Sequence, residues 1–143
     1  METINWRRVG LGGLLAGVVL SILAVGCAAL FIGQTHLRAL RLTGANAASI
    51  FFFIGVFLFL GLLMTWWYAA IRPRFGAGPK TAAIAGLAVW LIVVSQVLKS
   101  AALYETSLSL PAGPLLPILY LVMIVASTEV GAWVYQEQER AKS

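Results

Sequence analysis

Val9 to Ile32 is apolar and carries no charge over 24 residues, and about 20 such residues make a helix that crosses the hydrocarbon core of a bilayer. Three further runs follow, Ala47 to Ile71, Thr81 to Leu98 and Leu115 to Tyr135. Hydrocarbon offers backbone groups no water, so each run must satisfy its own N–H and C=O groups as a helix. Hydrophobic residues make up 61% of the chain and charged ones 10%, against roughly 25% charged in a soluble domain. A water-soluble fold of this length could not hide that apolar surface. The expected architecture is all-α: one domain over residues 1–143, with four transmembrane helices in an up-down bundle.

The joint between the second and third runs sets the topology. Trp66, Trp67 and Tyr68 close one run, and Arg72, Arg74 and Lys80 follow before the next. Trp and Tyr favour the headgroup level and short cationic loops stay on the cytoplasmic side, so these six residues are read as headgroup and topology markers. Pro73 is expected to stop the helix, because the residue before a proline is pushed out of helical geometry. Gly76 and Gly78 supply the turn, and Pro79 suits the first turn of the next helix, where its missing N–H costs nothing. Seven cations, Arg7, Arg8, Arg72, Arg74, Lys80, Arg140 and Lys142, fall on this side, against Arg38, Arg41 and Lys99 on the other. Both termini are therefore expected in the cytoplasm. The net charge of +5 is scattered over the ends of apolar runs and makes no stripe that could follow a nucleic-acid backbone.

Gly10, Gly13, Gly17 and Ser21 recur every three or four positions in the first run, leaving one helical face nearly bare. Gly13 and Gly17 have the spacing that lets two helices approach closely, and Gly86 and Gly131 are candidates for the same role. Cys27 is the single cysteine, which excludes an internal disulfide. Ala24-Val25-Gly26-Cys27 loosely resembles a lipoprotein signal, but Ala24 stands where a larger aliphatic is usual, and the stretch is read as a membrane helix.

Reactive side chains are scarce. There is no aspartate, so a Ser-His-Asp triad cannot be assembled, and His36 is the single histidine. No conventional zinc site or paired-histidine haem site can form, and the turn glycines lack phosphate-loop spacing. No enzyme activity, metal or cofactor is implied; were a pigment bound, His36 would be its axial ligand. Gln96 is expected to hydrogen-bond a neighbouring helix. Glu129 is the one acid within a span, six positions before Tyr135, or about 9 Å along the helix axis. Thr65 lies near its depth, and Thr65 or Thr128 could donate to it, which makes Glu129 and Thr65 the candidate polar or proton site.

Tyr68-Ala69-Ala70-Ile71-Arg72-Pro73-Arg74-Phe75-Gly76-Ala77-Gly78-Pro79-Lys80-Thr81 resembles the central loop of a family of small, uncharacterised bacterial four-helix membrane proteins, and Gly131-Ala132-Trp133-Val134-Tyr135 resembles its closing motif. The resemblance implies a bacterial inner-membrane protein and brings no activity with it. Two functions are expected to compete. One is a non-catalytic accessory subunit of a larger membrane complex of respiratory or photosynthetic type, in contact with lipids and with other integral subunits or further copies of itself. The other is a small oligomeric proton-coupled transporter using Glu129, similar in plan to the small multidrug resistance transporters, whose essential glutamate lies in the first helix.

Overall fold

The computed structural model describes residues 4–27, 30, 47–104 and 115–140. They form four helices: α1 (Trp6–Cys27), α2 (Ala47–Phe75), α3 (Pro79–Tyr104) and α4 (Leu116–Arg140). No strand occurs among the described residues. Each helix contains a stretch long and apolar enough to cross a membrane: Trp6–Cys27, Ile50–Phe75, Pro79–Lys99 and Leu116–Tyr135. His36, Arg38 and Arg41 lie outside the described residues.

The helices form a bundle in which α1 packs on α2 and α4, and α3 packs on the same two from the other side. α2 and α4 also meet, whereas α1 and α3 do not touch among the described residues. Helices consecutive in the chain run antiparallel. Along the α1–α2 seam Gly13 lies on Leu62 and Gly17 on Leu58, so the numbering rises on one helix as it falls on the other.

That seam is backbone against backbone. A Cβ built on Gly13 would stand 2.7 Å from the Leu62 Cα, and one on Gly17 2.7 Å from the Leu58 Cα. Gly61 fits between them: a Cβ there would run into the Gly13 carbonyl oxygen and the Gly17 amide nitrogen. Lipid tails are as apolar as leucine, so close van der Waals approach is what holds such helices together. Gly10 departs from the expected face, since a Cβ on it would meet nothing within 4 Å. α2 contacts the ridge through Gly13 and Gly17, and Gly10 falls beyond the edge of that contact. Ser21 packs within its own helix, donating its hydroxyl to the Gly17 carbonyl at 2.8 Å.

Two further seams use the other glycines. Gly12 of α1 faces Gly131 of α4, where a Cβ on Gly12 would sit 2.7 Å from the Gly131 carbonyl oxygen. Gly86 of α3 lies on α4, with its Cβ position 3.1 Å from the Val125 Cα.

The turn between α2 and α3 is stitched from both sides. α2 continues through Pro73 to Phe75, two residues past the expected stop. A proline in the last turn forfeits one backbone bond, and the Gly76 N–H still donates to the Arg72 carbonyl at 2.8 Å. Gly76, with φ +84°, then ends the helix in a conformation that side-chain-bearing residues rarely adopt. Pro79 opens α3 as expected, and the Thr81 hydroxyl donates back to the Gly76 carbonyl at 2.8 Å. At the start of α1, the Asn5 side-chain oxygen accepts the Arg8 N–H at 3.3 Å, an N-cap.

Two buried clusters fill the bundle. Val9, Tyr68, Ala69, Ala82, Ala85, Ala132 and Tyr135 form the one at the turn end. Ala16, Leu20, Met64, Val89, Met123 and Ile124 form the other, farther along the bundle. The Trp90 indole N–H donates to the Pro117 carbonyl at 2.8 Å and ties α3 to the first turn of α4.

Candidate functional site around Glu129

α4 carries two unlike stripes. Met123, Ile124, Ser127, Thr128, Gly131, Ala132 and Tyr135 face inward and are buried. Their spacing of one, three and four residues is that of a single helical face. Ile118, Val122 and Trp133 are each more than half exposed, at 57%, 61% and 59%, and Glu129 shares their face. One step along a helix is about 100° of rotation. Thr128 therefore points into the core while Glu129, its neighbour, points out.

Thr65 and Glu129 are consequently separated, contrary to the expected pairing. Thr65 is fully buried on α2, pressed against the Gly12–Gly131 crossing, and its hydroxyl has no hydrogen-bond partner. Ser127 is likewise buried with an unpartnered hydroxyl. The Thr128 hydroxyl donates to the Ile124 carbonyl at 2.7 Å and lies 3.1 Å from the Met64 sulfur. Gln96 faces outward and exposed on α3 rather than bonding a neighbouring helix, because the inward ridge there passes through Val89 and Val94.

Glu129 lines a surface groove of about 560 Å³ between the start of α3 and the end of α4. Gly78, Pro79 and Ala82 form one wall, and Ala126, Glu129 and Trp133 contribute the other. Glu129 forms no hydrogen bond or ion pair among the described residues. In a bilayer, a charged carboxylate costs about 2.5–3.5 kcal/mol at the helix centre on insertion scales, and less toward the edge. A charge in this position gains from any donor or cation brought to the groove.

The markers at the turn end divide by burial. Tyr68, expected at the headgroups, is fully buried. Its ring meets that of Tyr135 edge-on at 6.0 Å, and its hydroxyl oxygen accepts the Gly78 N–H at 3.4 Å. The Arg72 guanidinium lies over the Tyr135 ring, 5.5 Å from its centre, an attraction worth about 0.5–2 kcal/mol. Trp66 and Trp67 are half-buried against the turn-end cluster, whereas Arg74 and Lys80 are exposed. The Trp residues that stand most clear of the bundle are Trp6 and Trp133.

A second concavity, about 460 Å³, opens between the four helices in the half away from the turn. Ser21, Cys27, Phe53, Phe57, Tyr120 and Met123 are among its lining, which is overwhelmingly apolar and suits an apolar chain. Among the described residues, no three His, Cys, Asp or Glu side chains are grouped to hold a metal.

No family model, curated protein or solved structure matches this chain.

Sequence reasoning overlooked Gly61 and Gly12, which complete the two α1 seams, and Ser127. Their signal was present but unspecific. Gly12 sits beside Gly13, and choosing between adjacent glycines requires knowing which helix lies on which side.

Proposed function

We propose that this chain is a multi-pass protein of the bacterial inner membrane, with its termini and the 76–78 turn on the cytoplasmic side. It acts as a non-catalytic accessory subunit whose role is to pack against other integral subunits of a larger complex. The observation that carries this reading is the position of Glu129. The carboxylate is turned to the outside of the bundle, while the inside near its level is closed by backbone-to-backbone helix contacts and buried hydroxyls. A polar group facing away from its own bundle is completed by something that binds the wall.

The loop likeness to small four-helix membrane proteins supports the bacterial inner-membrane assignment. The cation count supports the orientation. Extraction in mild detergent followed by native electrophoresis tests the reading. The chain is expected to migrate in a particle whose mass is not a multiple of 15.3 kDa. A monodisperse single chain, or a particle of identical copies, would overturn it.

A proton-coupled transporter is the competing reading, favoured by Glu129 being the acid within a span. With Glu129 on the outer wall, the proton path would run between copies of the chain. Glu129→Gln would then abolish proton-coupled flux in reconstituted vesicles, and unchanged flux removes this alternative.

A further inference from the structure

We propose that the groove between α3 and α4 seats a membrane helix of a different polypeptide, and that this helix presents a lysine or arginine to Glu129. The inference rests on the subunit reading and specifies its contact face and the chemistry of the partner.

Two independent observations converge on the groove. The first is electrostatic. Glu129 is exposed inside a candidate span and has no partner among the described residues. Intramembrane acids ordinarily pair with a cation or line a polar cavity, and this groove has no other titratable residue in its lining. The second is steric. Gly78, Pro79, Ala82 and Ala126 line the groove with little side-chain bulk, which lets a helix backbone come close enough for its basic side chain to reach the carboxylate. Trp133, largely exposed at the edge, supplies a broad apolar surface for that helix to lie against.

The same geometry argues against a second copy of this chain as occupant. Copies inserted in one orientation and related by a two-fold axis present the same patch to each other. Both Glu129 carboxylates would then enter one interface whose groove lining brings no cation to their depth, and like charges in a desolvated contact repel. Lys80, next to Pro79, is exposed at the rim. A fitting partner therefore carries its cation at the depth of Glu129 and neutral or acidic residues where it emerges beside Lys80.

The test uses the full chain in native membranes, with a photo-reactive residue at position 126 or 133 and a control at the exposed position 91 of α3. Positions 126 and 133 should yield one adduct with a second polypeptide, mapped by mass spectrometry to a span bearing lysine or arginine. Glu129→Lys should lower that yield about tenfold or more, on the scale of a broken buried charge pair. Changing the mapped basic residue to glutamate should restore it. Ala126→Leu, which keeps the charge but fills the groove, should lower the yield in chains labelled at 133, and circular dichroism should show unchanged helicity in each variant. Adducts to lipid alone, adducts to another copy of this chain, or a yield indifferent to Glu129→Lys would each overturn the proposal. If the wild-type chain still migrates in a larger particle while the groove gives no such adduct, this inference fails and the subunit reading stands. If it migrates alone, both fail.

Discussion

Gly61 and Gly55 lie on the same helix in opposite surroundings. At Gly61 an added methyl would strike the α1 backbone, whereas at Gly55 it would meet open space. Gly61→Ala is expected to destabilise the bundle by about 1–3 kcal/mol through overpacking. Gly55→Ala should be neutral or stabilise by about 0.5–1 kcal/mol through the better helix propensity of alanine. Denaturant titration in detergent, followed by circular dichroism, separates the two. The buried hydroxyls make a second contrast. Thr65→Val deletes a hydroxyl that bonds nothing and should leave stability unchanged or raise it, by at most the roughly 1–3 kcal/mol cost of an unsatisfied group. Thr128→Val deletes a hydroxyl bonded to the Ile124 carbonyl and should lower stability by about 0.6 kcal/mol, a typical value for side-chain hydrogen bonds in membrane helices.

At the scale of elements, the α2–α3 hairpin is the best-determined local structure. Its glycines, its proline at the first turn of α3 and its flanking aromatics were all legible, because turn chemistry is written in adjacent residues. The end of α2 was not. Whether Pro73 stops the helix or rides in its last turn depends on what the following residues can still bond, and here the Gly76 N–H reaches Arg72. Gly76→Ala should destabilise the hairpin by about 1–2 kcal/mol, the cost of a left-handed conformation for a residue with a Cβ. There is room for the methyl, so the loss would be conformational rather than steric. Thermal unfolding of the variant beside wild type measures it.

At the scale of the molecule, four helices were readable from length and hydropathy, since a span needs nothing but a run of apolar residues. Their rotation about their own axes was not. A helix apolar all round has no wet face to mark its inside, so neither the burial of Tyr68 nor that of Thr65, which was expected beside Glu129, was legible. Small residues report rotation only after the neighbours are known, as Gly10 and Gly12 show. Topology has a direct test. In a Cys27→Ser background, Arg74→Cys should react with a membrane-impermeant maleimide in inverted vesicles and stay unlabelled in intact spheroplasts.

The meeting of Gly12 with Gly131 has a consequence for biogenesis. α1 depends for one flank on α4, a helix made later, and α3 does not touch α1 to shield it meanwhile. Until translation passes residue 131, α1 waits beside α2 with a bare strip of backbone turned to lipid. A nascent chain arrested before that point lacks α4 and leaves that side of α1 unclosed.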